Sequence, residues 1–115
     1  MTEREKMLSG LLYDPSDPEL SRQRDVARNM AAAFNRTTEE EKLKRQEILK
    51  ALLGSMGEWT ELYPSVQFDY GCNTYLGSRC YVNFNATFLD CAEIRLGDDV
   101  FVGPNVSFLT PIHPL

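Results

Sequence analysis

The chain has 115 residues, enough for one domain or one domain with a short helical extension. Its 43% hydrophobic and 25% charged content is ordinary for a globular chain, and no stretch approaches the ~18 apolar residues of a membrane span. The net charge is −5, with 2 basic against 6 acidic residues after residue 60, which excludes general binding of nucleic-acid backbones, since these need a basic stripe.

The segment from Met1 to Lys6 leads into a charged amphipathic stretch, not into an apolar core with a small-residue cleavage site. A cytoplasmic location is therefore expected. Thr2 and Glu5 predict a capping box for a first helix, with Met7, Leu8, Leu11 and Leu12 as its apolar stripe and Tyr13-Asp14-Pro15 as its stop. Asp17-Pro18 predicts a restart, Asp at the N-cap and Pro in the first turn. That second helix runs to about Phe34, placing Ala27, Met30, Ala31 and Phe34 on one face. Asn35 to Thr38 break it. Thr38 with Glu41 predicts another capping box, and the helix that follows carries Ile48, Leu49, Leu52 and Leu53, closed by Gly54 and Gly57. The run Glu39-Glu40-Glu41 reads as a solvated helix start that complements the macrodipole, with Lys42, Lys44 and Arg45 following.

Residues 1–60 are thus expected to be a helical region. From about Tyr63 the composition shifts to Gly, Asn, Asp, aromatic and β-branched residues, and a six-residue beat sets in over Leu76, Val82 and Phe88. After a two-residue slip it resumes at Leu96, Val102 and Phe108. A second small or aliphatic residue follows each by four: Cys80, Ala86, Ala92, Val100, Val106 and Ile112. Neither a helix nor a two-period strand produces this pattern; a solenoid that turns a corner every six residues does. Gly71, Gly77, Gly97 and Gly103 are expected to give the corners backbone freedom, and Asn85, Asp98 and Asp99 to be corner residues. Trp59, Tyr63 and Phe68 are expected to cover the open end beneath the helices. Cys72, Cys80 and Cys91 lack metal-ligand spacing and read as reduced structural cysteines, and no metal is expected.

The Leu96-Gly97 and Val102-Gly103 units resemble the hexapeptide repeats of acyltransferases with a left-handed parallel β-helix. The ordered set of helical preface, Phe68-Asp69-Tyr70-Gly71, Asn83-Phe84-Asn85 and His113-Pro114 resembles the maltose O-acetyltransferase and galactoside O-acetyltransferase family. The resemblance implies a mainly β fold with an α-helical N-terminal extension: a helical region over residues 1–60 and an incomplete β-helix over 61–115. It also implies acetyl transfer from acetyl-coenzyme A to a hydroxyl of a sugar such as maltose or glucose, in a homotrimer whose active sites lie between subunits. His113 would be the general base, since imidazole titrates near neutrality, and no covalent acyl-enzyme is implied. Sugar contacts carried over by the resemblance are Asn83, Asp69, an acidic contact at or beside Asp90, and Asp14, with Asp17 as the other option. Asn83 reads equally well as a corner residue.

The chain ends two residues after His113. Family members continue through further coils that carry most coenzyme A contacts and the acidic partner of the histidine. A truncated chain, a natural short form and completion by another polypeptide are all compatible with this. The alternative function is therefore a catalytically inactive or partner-completed fragment acting as a binding or assembly module; an acetyltransferase for another acceptor, such as a chitooligosaccharide, shares every motif.

Overall fold

The computed structural model describes residues 1–111. Its helices begin where side chains can take up free amides. Thr2 and Glu5 form the reciprocal capping box of α1 (Glu3–Leu8), and the Asp17 carboxylate accepts the Glu19 and Leu20 N–H groups at the head of α2 (Pro18–Asn35). α1 is shorter than its apolar stripe suggests. It stops at Ser9, Gly10 takes φ +78°, and Leu11 and Leu12 lie exposed in the loop that follows. α3 (Lys42–Leu52) starts after the acidic run, with Glu39 and Glu40 in the turn ahead of it. Only half of the expected box forms there: Thr38 N–H donates to the Glu41 carboxylate, and no side chain caps the helix. Arg45 is not solvated. It is 5% exposed, its Nε donates to Thr37 Oγ1 at 2.7 Å, and its guanidinium pairs with Glu39 at 3.2 Å.

Among the described residues nine short strands follow: β1 (Ser55–Met56), β2 (Glu61–Leu62), β3 (Val66–Phe68), β4 (Thr74–Leu76), β5 (Tyr81–Val82), β6 (Ala86–Leu89), β7 (Ile94–Leu96), β8 (Phe101–Val102) and β9 (Ser107–Leu109). They form three parallel sheets ordered β1-β4-β7, β2-β5-β8 and β3-β6-β9, the three walls of a prism. The solenoid thus begins at Ser55, ahead of the expected boundary at residue 61. Partners in register lie 20 residues apart, as in Met56↔Leu76↔Leu96, Leu62↔Val82↔Val102 and Phe68↔Phe88↔Phe108. The slip after Phe88 is therefore one regular corner of a 20-residue coil, and the same corner occurs after Phe68.

That longer corner shifts one expected core position. Ala92 is only half-buried, and Ile94, two residues later, takes the inward place beside Leu96. Phe68 does not cover the end of the solenoid; it stacks inside it on Phe88 at 4.9 Å, and Phe88 on Phe108 at 5.0 Å. Trp59 is 82% exposed at a corner. The end is closed by Phe34, Leu49, Leu52 and Leu53 of the helical layer, which share one core with Leu62, Val66 and Val82. Left-handed backbone falls on Trp59, Arg79, Asp99, Asn85 and Asn105, whereas among the corner glycines singled out from sequence only Gly71 adopts it. Gly77 serves close approach: a Cβ there would sit 2.6 Å from the Gly97 carbonyl carbon in the next coil.

Candidate functional site

The corner after the third sheet is where the sequence-derived carboxylates meet. Asp90 follows β6 and is fully buried. The Tyr70 N–H donates to its Oδ1 at 2.7 Å and the Thr74 hydroxyl to its Oδ2 at 3.0 Å. Its carbonyl accepts from Asn73 Nδ2 at 2.9 Å. Burial pushes this carboxyl above its usual range. Asp90, expected from sequence at or beside a sugar contact, ties one coil's corner to the next and is buried in this chain.

Asp69 occupies the same corner one coil earlier and is half-buried. Its Oδ1 lies 3.6 Å from Arg28 Nη2, and the Cys91 thiol donates to its Oδ2 at 3.6 Å. The neighbouring Tyr70 hydroxyl accepts from Arg24 Nη1 at 2.9 Å, while Arg24 Nη2 donates to the Pro15 carbonyl at 2.7 Å. One guanidinium thus anchors the loop of Tyr13 and Asp14 to the corner of Asp69. Tyr13 packs with Met7, Leu20, Tyr70 and Cys91 in a second apolar cluster. Burial, and then the Cys91 thiol, push the Tyr13 phenol up to about 12, so at neutral pH it is an uncharged donor.

Asp14 is exposed. Its Oδ1 accepts from the Ser16 hydroxyl at 2.6 Å and from the Ser16 N–H at 3.0 Å, which hold the carboxyl below its ordinary range. The Asp17 carboxylate is engaged in capping α2. Of the two, Asp14 is the more exposed. Arg24, Arg28 and Tyr13 were not singled out from sequence. The i,i+4 pair of arginines on α2, off the Ala27–Ala31 core face, was the available signal.

Asn83 stands elsewhere, at the corner after β5. It is half-buried, its N–H donates to the Val102 carbonyl, and its Oδ1 accepts the Phe84 N–H at 2.8 Å. Within one chain it is not brought to Asp14 and Asp69. His113 lies outside the described residues. Thr110 is tied to the third-sheet corner, its hydroxyl donating to the Leu89 carbonyl at 2.7 Å. Among the described residues no group of three His, Cys, Asp or Glu side chains is placed to hold a metal ion, and no helix is long and apolar enough to cross a membrane.

Residues 6–57 match the family model of the maltose acetyltransferase hexapeptide capping motif. A Dictyostelium discoideum protein, whose name assigns it provisionally to the acetyltransferases, is 44% identical over 115 residues, covering 100% of this chain and 60% of its own length. The crystal structure of a maltose O-acetyltransferase from Clostridium difficile 630 superposes with a TM-score of 0.98 at 39% identity, covering 100% of this chain and 62% of that one. A galactoside acetyltransferase in complex with coenzyme A superposes at 0.88 with 31% identity, covering 93% of this chain and 54% of that one. The chain thus spans between 54% and 62% of the length of these relatives. The prism is accordingly a left-handed parallel β-helix with helices before it. With its capping helices, its 20-residue coils and these likenesses, the chain is similar to the N-terminal part of maltose and galactoside O-acetyltransferases, hexapeptide-repeat proteins with a left-handed β-helix.

Proposed function

We propose that this chain forms the acceptor-binding part of an acetyl-coenzyme A-dependent sugar O-acetyltransferase, with His113 as general base. The observation that carries the reading is the superposition of the whole chain on a maltose O-acetyltransferase. The corner of Asp69 fits it chemically. The exposed Asp14 carboxylate and the half-buried Asp69 carboxylate would accept from sugar hydroxyls. His113 would take the proton of one sugar hydroxyl as its oxygen attacks the thioester carbonyl. The C–S bond then breaks, and the imidazolium returns the proton to the coenzyme A thiolate. Acetyl-coenzyme A enters as a co-substrate, in keeping with the coenzyme A complex of the galactoside acetyltransferase.

Asn83 and Asp69 sit on different corners of the prism, which fits a site completed between subunits of a homotrimer. The second sheet presents a surface suited to such contact: Tyr81 and Phe101 stack at 5.2 Å, and Phe101 is 69% exposed. That surface also favours the second reading, an assembly module without activity of its own.

The deciding experiment follows thiol release from acetyl-coenzyme A with maltose, glucose, a galactoside and a chitooligosaccharide, and the mass of each acceptor. Transfer to a sugar is expected, with His113→Ala reducing the rate by about 10²–10⁴-fold at unchanged melting temperature. Equal rates in the variant remove His113 from the mechanism. A folded trimer that transfers to none of the acceptors supports the assembly module instead.

A further inference from the structure

The first corner of the solenoid carries a residue that neither the fold nor the corner of Asp69 uses. Positions 59, 79 and 99 repeat one coil apart, all with left-handed backbone: Trp59 at φ 62°, Arg79 at 57° and Asp99 at 61°. Arg79 and Asp99 make a coil-to-coil ion pair at 2.7 Å. The neighbouring corner fills its left-handed positions with Asn85 and Asn105, which tolerate them. A bulky aromatic residue in this region is strained, and strain of this kind gathers at functional sites. Trp59 is 82% exposed, so core packing does not explain it either.

Beside Trp59, between the start of α3 and the first coil, lies a cavity of about 290 Å³. Its walls include Lys42, Leu43, Gln46, Trp59, Glu61 and Tyr63. Leu43 is 82% exposed, so the recess has two apolar walls open to solvent. The rim is polar and of both signs. The Tyr63 hydroxyl donates to Glu61 Oε2 at 3.0 Å, which leaves Oε1 as an acceptor. Lys42 makes no ion pair among the described residues. The Arg45 guanidinium, also on the wall, is already bonded to Thr37 and Glu39.

We propose that this recess is a carbohydrate-binding site that stacks a neutral pyranose ring on Trp59. A phosphate or carboxylate ligand would meet Glu61, and an ammonium ligand would meet Lys42. A molecule with an apolar C–H face and a belt of hydroxyls uses all three elements: the indole face, the ammonium donor and the carboxylate acceptor. The volume is at the lower end for small-molecule pockets, the size of one or two sugar rings. The site stands on the corner between the first and second sheets, and Asp69 and Asp90 on the corner after the third. The proposal is therefore independent of whether the chain transfers acetyl groups.

Trp59 is the sole tryptophan of the chain, so its emission reports this site alone. The full chain, without acetyl-coenzyme A, is titrated with maltotriose, lactose and chitobiose, with sorbitol and glucose 6-phosphate as controls. A saturable change in emission is expected with at least one of the three saccharides, and none with sorbitol. Asp69→Asn should leave that titration unchanged. Trp59→Asn supplies a residue suited to the corner, so its melting temperature should rise while calorimetric affinity for the same saccharide falls about tenfold or more. Absence of a saturable response to all three saccharides, an equal response to sorbitol, or unchanged calorimetric affinity in Trp59→Asn would each overturn the proposal.

Discussion

Asp90 is a carboxylate shut away from water, and its chemistry follows from that. Two donors, the Tyr70 N–H and the Thr74 hydroxyl, compensate part of the desolvation, yet burial still holds the proton on the folded chain more tightly than on the unfolded one. The unfolded carboxyl titrates near 3.8. Below that pH both states are protonated and the contribution to stability is full. As pH rises from there through the raised folded value, the unfolded chain releases its proton first and stability falls. Asp90→Asn keeps an acceptor for Tyr70 and offers an amide to the Thr74 oxygen without a titration. Denaturant unfolding across pH ~4 to 7 should therefore show the wild type losing stability relative to Asp90→Asn, with the variant equal or better near neutrality. Asp90→Ala should cost about 2–4 kcal/mol near pH ~4, because two buried donors lose their partner, and less as pH rises and the wild type is itself destabilised. A wild-type minus Asp90→Asn difference that stays flat with pH would mean that burial does not shift this carboxyl.

At the scale of the strand, stability comes from like residues stacking in register. The third sheet superposes Phe68, Phe88 and Phe108, with rings 4.9 and 5.0 Å apart and nearly parallel. Phe88 is fully buried between its two neighbours, while Phe108 is half-buried in the last of the described coils. A solenoid is stabilised by nearest-neighbour contacts, so loss of a middle ring removes two interfaces at once. Phe88→Ala should cost about 3–5 kcal/mol in equilibrium unfolding, and Phe108→Ala clearly less. Equal costs at the two positions would show that the coils are not stabilised by their neighbours in this way. This ladder was largely readable in the sequence, because one inward residue per wall imposes a strict beat. Its first rung was not. Thr60 stands where later coils have Cys80 and Val100, so Met56, Leu62 and Phe68 did not announce themselves as a coil.

At the scale of the molecule, the helical layer behaves as the missing coil. Asn35, at the end of α2, donates from Nδ2 to the Val66 carbonyl at 2.9 Å and accepts the Val66 N–H at Oδ1 at 2.8 Å. Its side-chain amide thus occupies the place of a strand beside β3, and Gln46 does the same for the Thr60 carbonyl at 3.1 Å. Edge strands left open invite pairing with other chains, so this closure also protects the first coil. None of it was legible in advance. Helix caps are local and could be read at Thr2 and Asp17, but an amide meeting a backbone 31 residues away leaves no periodic trace. The same limit holds for Asp69 and Asn83: the beat assigns each to a corner and carries no information on what that corner meets. Because Phe34, Leu49, Val66 and Val82 share one core, helices and solenoid should unfold together. Asn35→Ala leaves both polar groups of Val66 without a partner, a loss of about 1–3 kcal/mol that should lower the melting temperature by roughly 5–10 °C. Circular dichroism of the helices and the near-ultraviolet signal of the solenoid tyrosines should shift by the same amount in one transition. If the helical signal melts separately from the tyrosine signal, the layer is an appendage, and closure of the first coil must come from elsewhere.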